Sequence, residues 1–84
     1  MYTVYILQSE KSGRFYIGHT EDLFRRHAEH QQGKQRATRN RGPWIVVHTQ
    51  VFDSRSEAVI REREIKSWKS AQRIRDMISK LENP

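Results

Sequence analysis

The chain opens on an unbroken apolar run. Tyr2 to Leu7 is rich in β-branched and aromatic residues and contains no breaker, which predicts a strand. Ser9-Glu10-Lys11-Ser12-Gly13 is turn chemistry, and Phe15-Tyr16-Ile17-Gly18 predicts a second strand that closes a hairpin with the first. A four-residue loop at 9–12 would set Tyr5 opposite Tyr16. Any register in which paired residue numbers sum to an odd value puts both phenols on one face, whereas an even sum separates them. The hydrophobic pattern leaves that choice open.

Helical signals follow. Thr20-Glu21-Asp22 offers a capping hydroxyl and two acids near the positive end of a helix dipole. The helix should run to about Gln32, with Leu23, Phe24 and Ala28 facing inward and Gly33 ending it. Beyond Pro43, Trp44-Ile45-Val46-Val47 and then Val51-Phe52 read as a buried third strand, bent around the polar stretch His48-Thr49-Gln50. Ser54-Arg55-Ser56-Glu57 has capping-box spacing and starts a helix reaching about Trp68. Ser70 caps a final helix whose Ala71, Ile74, Ile78 and Leu81 recur at helical spacing. The predicted order is ββαβαα in one domain over residues 1–82, with 83–84 frayed.

Composition narrows the function classes. Eighty-four residues with 35% hydrophobic content make one small domain with a thin core. The mean hydropathy of -0.96 and the short apolar runs exclude a membrane-spanning helix. Met1 to Leu7 lacks a basic flank and a small-residue cleavage site, so it is a strand candidate and not a signal peptide. There is no cysteine, hence no disulfide, thiolate metal site or cysteine nucleophile, and a cytoplasmic protein is expected.

Sixteen Lys and Arg against ten Asp and Glu leave a net charge of +6. Four cations, Lys34, Arg36, Arg39 and Arg41, fall in the acid-free stretch from Gly33 to Gly42. Clustered positive charge of this kind points to an anionic polymer, nucleic acid first, with a merely solvated loop as the plainer reading.

Several chemistries find no support. His27 and His30 sit three apart on the predicted helix, but no third ligand stands at a familiar spacing, so both read as exposed helix histidines and not as a zinc site. No phosphate-binding glycine loop, dinucleotide fingerprint or serine triad can be nominated. Tyr5 and Tyr16 read by themselves as amphipathic core residues. Gly18 marks a close approach of backbone or ligand. Glu62 falls within the inward arc set by Ala58 and Ile65, where a carboxylate needs a partner; a surface ion pair with Lys66 is the plainer alternative. Arg25 and Arg26 point about 100° apart, so at most one can aim at a common site.

Together these residues resemble a known family. Val4-Tyr5-Ile6 and Tyr16-Ile17-Gly18 are similar to the paired signature of GIY-YIG nuclease domains, and the closest form is the small stand-alone, single-domain bacterial subgroup. The stretch from Tyr16 to His27 resembles that family's second strand and first helix, and Ser56 to Lys66 resembles the segment carrying its metal-binding glutamate. The resemblance implies a small three-stranded mixed sheet flanked by helices (α/β, of the α+β kind) with the site on one sheet face.

It also implies an endonuclease that hydrolyses DNA phosphodiester bonds with one divalent cation, Mg2+ or Mn2+. Glu62 would hold the metal, Tyr5 and Tyr16 would position and help deprotonate the attacking water, Arg26 would stabilise the phosphate, and His19 would take an auxiliary position. The pattern departs from the family at Thr3, where the leading glycine stands, and at Ile74, where repair-type members carry asparagine. With no separate DNA-binding domain, low sequence specificity is expected unless a partner protein supplies it, on DNA or RNA, with structure-selective or repair-related action. The alternative is a non-catalytic nucleic-acid-binding module on the same scaffold; a protein-interaction domain is a third reading.

Overall fold

The computed structural model describes residues 1–82, with side chains through Lys80; the expected fraying at 83–84 and the Leu81 side chain lie outside the described residues. The elements are β1 (Tyr2–Ser9), β2 (Phe15–Thr20), α1 (Leu23–Gln31), β3 (Trp44–Phe52), α2 (Arg55–Ser67) and α3 (Ala71–Glu82), an α+β fold in the expected order. The sheet order is β2-β1-β3, and both pairings are antiparallel. The expected mixed sheet is therefore corrected: β2 and β3 run the same way but never touch, because β1 lies between them.

β1 is central, which explains its continuous apolar run. Its residues alternate between two covered faces. Val4 and Ile6 join Ile17 of β2 in a core closed by Ala58 and Ile65 of α2 and Ile74 of α3. Ile74, noted above as a departure from the resembled pattern, is thus a core residue. On the opposite face, Tyr5 and Leu7 pack with Trp44, Tyr16, Leu23 and Val46.

The hairpin pairs Tyr5 with Gly18 and Leu7 with Tyr16, so paired numbers sum to 23 and both tyrosines share a face. Tyr16 does not stand opposite Tyr5, because the four-residue loop lies one position later, at 10–13: Ser9 N–H donates to the Arg14 carbonyl at 2.9 Å, and Gly13 turns the chain at φ 76°.

α1 is capped by Asp22, whose carboxylate accepts from Arg25 N–H at 3.1 Å; Thr20 instead accepts from Asp22 N–H one turn earlier. Phe24 is 89% exposed and not inward-facing, since the inner stripe of α1 runs through Leu23 and the histidines. β3 is an edge strand and only partly buried, with Ile45 and Val51 exposed. Its irregularity is a bulge: Ile6 pairs with His48 and Leu7 with Val46, leaving Val47 as the extra residue. Ser54 and Ser70 cap α2 and α3 as expected, accepting from Glu57 and Arg73 N–H.

Two buried histidines, His30 and His48, have pKa values lowered first by burial and then by neighbouring Arg26 and Arg61 respectively. Both are neutral in the fold, whereas the unfolded chain protonates them below a pKa of about 6.5. Their contribution to stability is complete above that value and is lost as pH falls below it. The melting temperature should therefore drop between pH 7.5 and 5. In His48→Leu the slope of melting temperature against pH should be shallower, as read by circular dichroism; an unchanged slope would contradict the assignment.

Candidate active site

The shared face of the hairpin gathers an aromatic group. The Tyr5 and Tyr16 ring centroids are 6.5 Å apart, and His30 packs against Tyr16 at 4.9 Å and Tyr5 at 5.9 Å. Tyr5 has almost no exposed surface. Its ring lies over Gly18: a Cβ there would sit 2.5 Å from the Tyr5 hydroxyl oxygen and 2.7 Å from Cζ. The strand glycine is thus required by the phenol crossing it.

His30 is the residue that sequence reasoning missed. It is buried and not exposed, and it bridges Tyr5 and the basic loop. The Tyr5 hydroxyl is 3.0 Å from His30 Nε2, and His30 Nδ1 is 2.7 Å from Thr38 Oγ1. Because burial keeps the imidazole neutral, one nitrogen accepts and the other donates. Thr38 Oγ1 in turn donates to the Gln35 carbonyl at 3.4 Å. With Thr38 donating there, the Tyr5 O–H donates to Nε2 and Nδ1–H donates to Thr38. His27 is also engaged, its Nε2 hydrogen-bonded to the Trp44 carbonyl at 2.7 Å. A spacing of i, i+4, i+7 through Leu23, His27 and His30 was the available signal for an inward stripe.

Arg26 flanks this group. Burial drives the Tyr5 phenol pKa up, Tyr16 adds to the effect, Arg26 opposes it, and Glu62 and Glu29 add further upward contributions. Arg26 Nε is buried without a hydrogen bond; Glu29 Oε1, at 3.6 Å, is within ion-pair range but too far to accept one. A buried guanidinium N–H with no acceptor is a built-in demand for an anion.

Glu62 and His19 belong to the other face. His19 pairs with Val4, whose side chain points to the α2 side, and its Nδ1 is 2.7 Å from Glu62 Oε1. Lys66 donates to Glu62 Oε2 at 2.9 Å, so the surface ion pair considered from sequence also forms. Burial by itself raises the Glu62 pKa, but the hydrogen bonds from Lys66 and His19 outweigh it and leave the carboxyl below its ordinary value. The structure therefore brings Tyr5 and Tyr16 together with His30, and sets Arg26 within electrostatic reach of Tyr5 and His30. It sets Glu62 with His19 across edge strand β2, linked to Tyr5 through charge and not by contact.

Among the described residues no three His, Cys, Asp or Glu side chains group as metal ligands. A lone ionised carboxylate suits a hard divalent cation whose other positions are water and phosphate oxygens, with Lys66 as the group to be displaced. In the basic loop, Lys34, Arg36, Arg39 and Arg41 are exposed, and Arg39 Nε donates to the Gly33 carbonyl at 2.9 Å. The loop itself is docked: Thr38 is buried, and its carbonyl accepts from Trp44 Nε1 at 3.2 Å.

The model of the GIY-YIG catalytic domain matches residues 1–75. The chain belongs to the GIY-YIG family. A UPF0213 protein of Halobacterium salinarum is 43% identical over 74 residues, covering 87% of this chain and 95% of that protein. A UPF0213 protein of Cupriavidus pinatubonensis is 42% identical over 82 residues, covering 96% and 89%. The solution NMR structure of a UPF0213 protein from Bacillus halodurans superposes with a TM-score of 0.62 at 37% identity, covering all of this chain and 89% of that one. Both signature tyrosines of this GIY-YIG domain, and the glycine closing the second signature, thus sit within a few ångströms of one imidazole.

In the GIY-YIG hairpin, Gly18→Ala should push the Tyr5 ring from its seat and break its bond to His30. Overpacking of this kind costs about 1–3 kcal/mol. The melting temperature should fall by about 4–8 °C per kcal/mol. Unchanged melting would show that the phenol relaxes freely and that Gly18 is not required by contact.

Proposed function

We propose that this GIY-YIG domain is a divalent-metal-dependent endonuclease that hydrolyses DNA phosphodiester bonds with low sequence specificity, including branched or damaged forms met in repair. One observation carries this reading: the Tyr5 hydroxyl is hydrogen-bonded to a neutral imidazole, and Arg26, whose buried Nε–H lacks an acceptor, is within electrostatic reach of both. Family membership supports it independently.

Arg26 binds a non-bridging phosphate oxygen and stabilises the charge that accumulates in the transition state. Tyr5 accepts a proton from the attacking water as its own proton passes to His30 Nε2, leaving an imidazolium whose Nδ1–H stays on Thr38. Burial opposes a free phenolate at Tyr5, so concerted hand-over to His30 is the route that avoids one. Tyr16 buttresses the imidazole and borders the water's position. Glu62, oriented by His19, would hold one Mg2+ or Mn2+. When bound, such an ion lowers the pKa of water and clamps the phosphate.

No helix among the described residues is long and apolar enough to cross a membrane. A cysteine-free chain suits the reducing cytoplasm, where we place the activity.

Purified protein should nick supercoiled plasmid with magnesium or manganese and stop on chelation. Glu62→Ala and Tyr5→Phe should each lower the rate by about 10²-fold or more while retaining the wild-type circular dichroism. Equal nicking by Glu62→Ala would refute the assignment. DNA binding with no metal-dependent cleavage by the wild type would establish instead a binding module on this scaffold, and cleavage of RNA in preference to DNA would reassign the polymer.

A further inference from the structure

An open cleft of about 680 Å³ lies beside Tyr16, between the β1–β2 turn and the basic loop. Lys11 and Arg14 line it from the turn, Asn40 and Arg41 from the loop, and Tyr16 and Trp44 are its aromatic wall. No carboxylate lines it. None of Lys11, Arg14 and Arg41 has an ion-pair partner among the described residues. Three unneutralised cations around a concave wall call for a polyanion.

The two walls are tied to each other. Ser9 is buried, and its hydroxyl donates to the Arg41 carbonyl at 2.6 Å while accepting from Lys11 and Ser12 N–H at 3.1 Å. Glu10 N–H donates to the Pro43 carbonyl at 2.9 Å. The separation between turn and loop is thereby set before any ligand arrives, which lowers the ordering cost of binding. Tyr16 both lines the cleft and belongs to the tyrosine face, so a strand in the cleft leads onto that face.

We infer that this cleft is a phosphate-binding subsite for the DNA strand flanking the scissile bond, with Lys11 and Arg14 of the hairpin turn as contacts alongside Arg41. The inference rests on the nuclease reading for its ligand, but its test does not require cleavage. The turn supplies binding, not chemistry. The far flank of the molecule provides a comparison: Arg61 and Arg73 lie over Trp68 there and Lys80 lines the same hollow, but so does Asp76, and the sheet separates it from the tyrosine face.

The experiment follows binding of fluorescein-labelled oligonucleotide by anisotropy across sodium chloride concentrations, in chelator. Each phosphate contact contributes a slope of about 0.9 for duplex and about 0.7 for single strand in log affinity against log salt. The double variant Lys11→Gln/Arg14→Gln should lose about 1.8 from the slope on duplex, or about 1.4 on single strand, with unchanged melting. Arg73→Gln should keep the wild-type slope. An unchanged slope in the double variant, an equal loss in Arg73→Gln, or no DNA binding by the wild type would each overturn the subsite. Inorganic phosphate that raises the melting temperature of the wild type but not of the double variant, with the oligonucleotide slope intact, would mark a free-anion site and also overturn it. Absence of plasmid nicking alongside the expected slopes would remove the nuclease reading and leave the subsite standing.

Discussion

The seating of the Tyr5 phenol fixes the arrangement of the whole tyrosine face. The ring crosses edge strand β2 at the one position without a side chain and ends on His30. Each constraint fails without the other. A Cβ at residue 18 would displace the hydroxyl, and without an acceptor on α1 a buried phenol would carry an unsatisfied donor, costing about 1–3 kcal/mol. The hairpin register meets both demands by setting Tyr5 against Gly18 and Tyr16 two residues further along the same face. The twin tyrosine pattern is thus a statement about register as much as about chemistry.

How a carboxylate on the opposite face joins such a site follows from the path of α2. Val4 has two cross-strand neighbours, His19 on β2 and Gln50 on β3. Consecutive residues of α2 reach them: Arg61 Nε donates to Gln50 Oε1 at 2.9 Å, and Glu62 meets His19 at 2.7 Å. The helix straddles the central strand, one polar side chain descending on each flank of an apolar inner row of Ala58 and Ile65. Adjacent helix positions diverge by about 100°, which is the angle such a straddle needs. Because β2 is an edge strand, Glu62 lies within electrostatic reach of Tyr5 although the two occupy different faces.

Much of this was legible in the sequence. Two β-rich runs around turn residues, two serine caps and helical recurrence of apolar residues suffice for the six elements, since each is a local signal. The position of Glu62 inside an apolar arc was readable for the same reason. What escaped was set by longer-range contacts. The position of the turn decided the register, and no propensity distinguishes a four-residue loop at 9–12 from one at 10–13 here. Phe24 read as core because apolar residues are assumed to face inward, but the inner stripe of α1 continues through His27 and His30, whose rings are satisfied by Trp44 and Tyr5. An imidazole counts as polar in any hydropathy pattern until its acceptor is known. β3 read as buried because apolar runs flank its polar middle, yet a bulge at Val47 and an edge position leave Ile45 and Val51 in solvent.

The basic loop changes most in meaning between sequence and structure. As a string it is a run of four cations with nothing to shape it. In the fold, Thr38 lies at its centre, 1% exposed, with its hydroxyl on His30 and its carbonyl on the Trp44 indole. The segment that carries the positive charge therefore also holds the imidazole that accepts from Tyr5. Ordering the loop and orienting His30 are a single event, because the same hydroxyl serves both. A polyanion that settles on Arg36, Arg39 and Arg41 works on a loop already anchored beside the tyrosines.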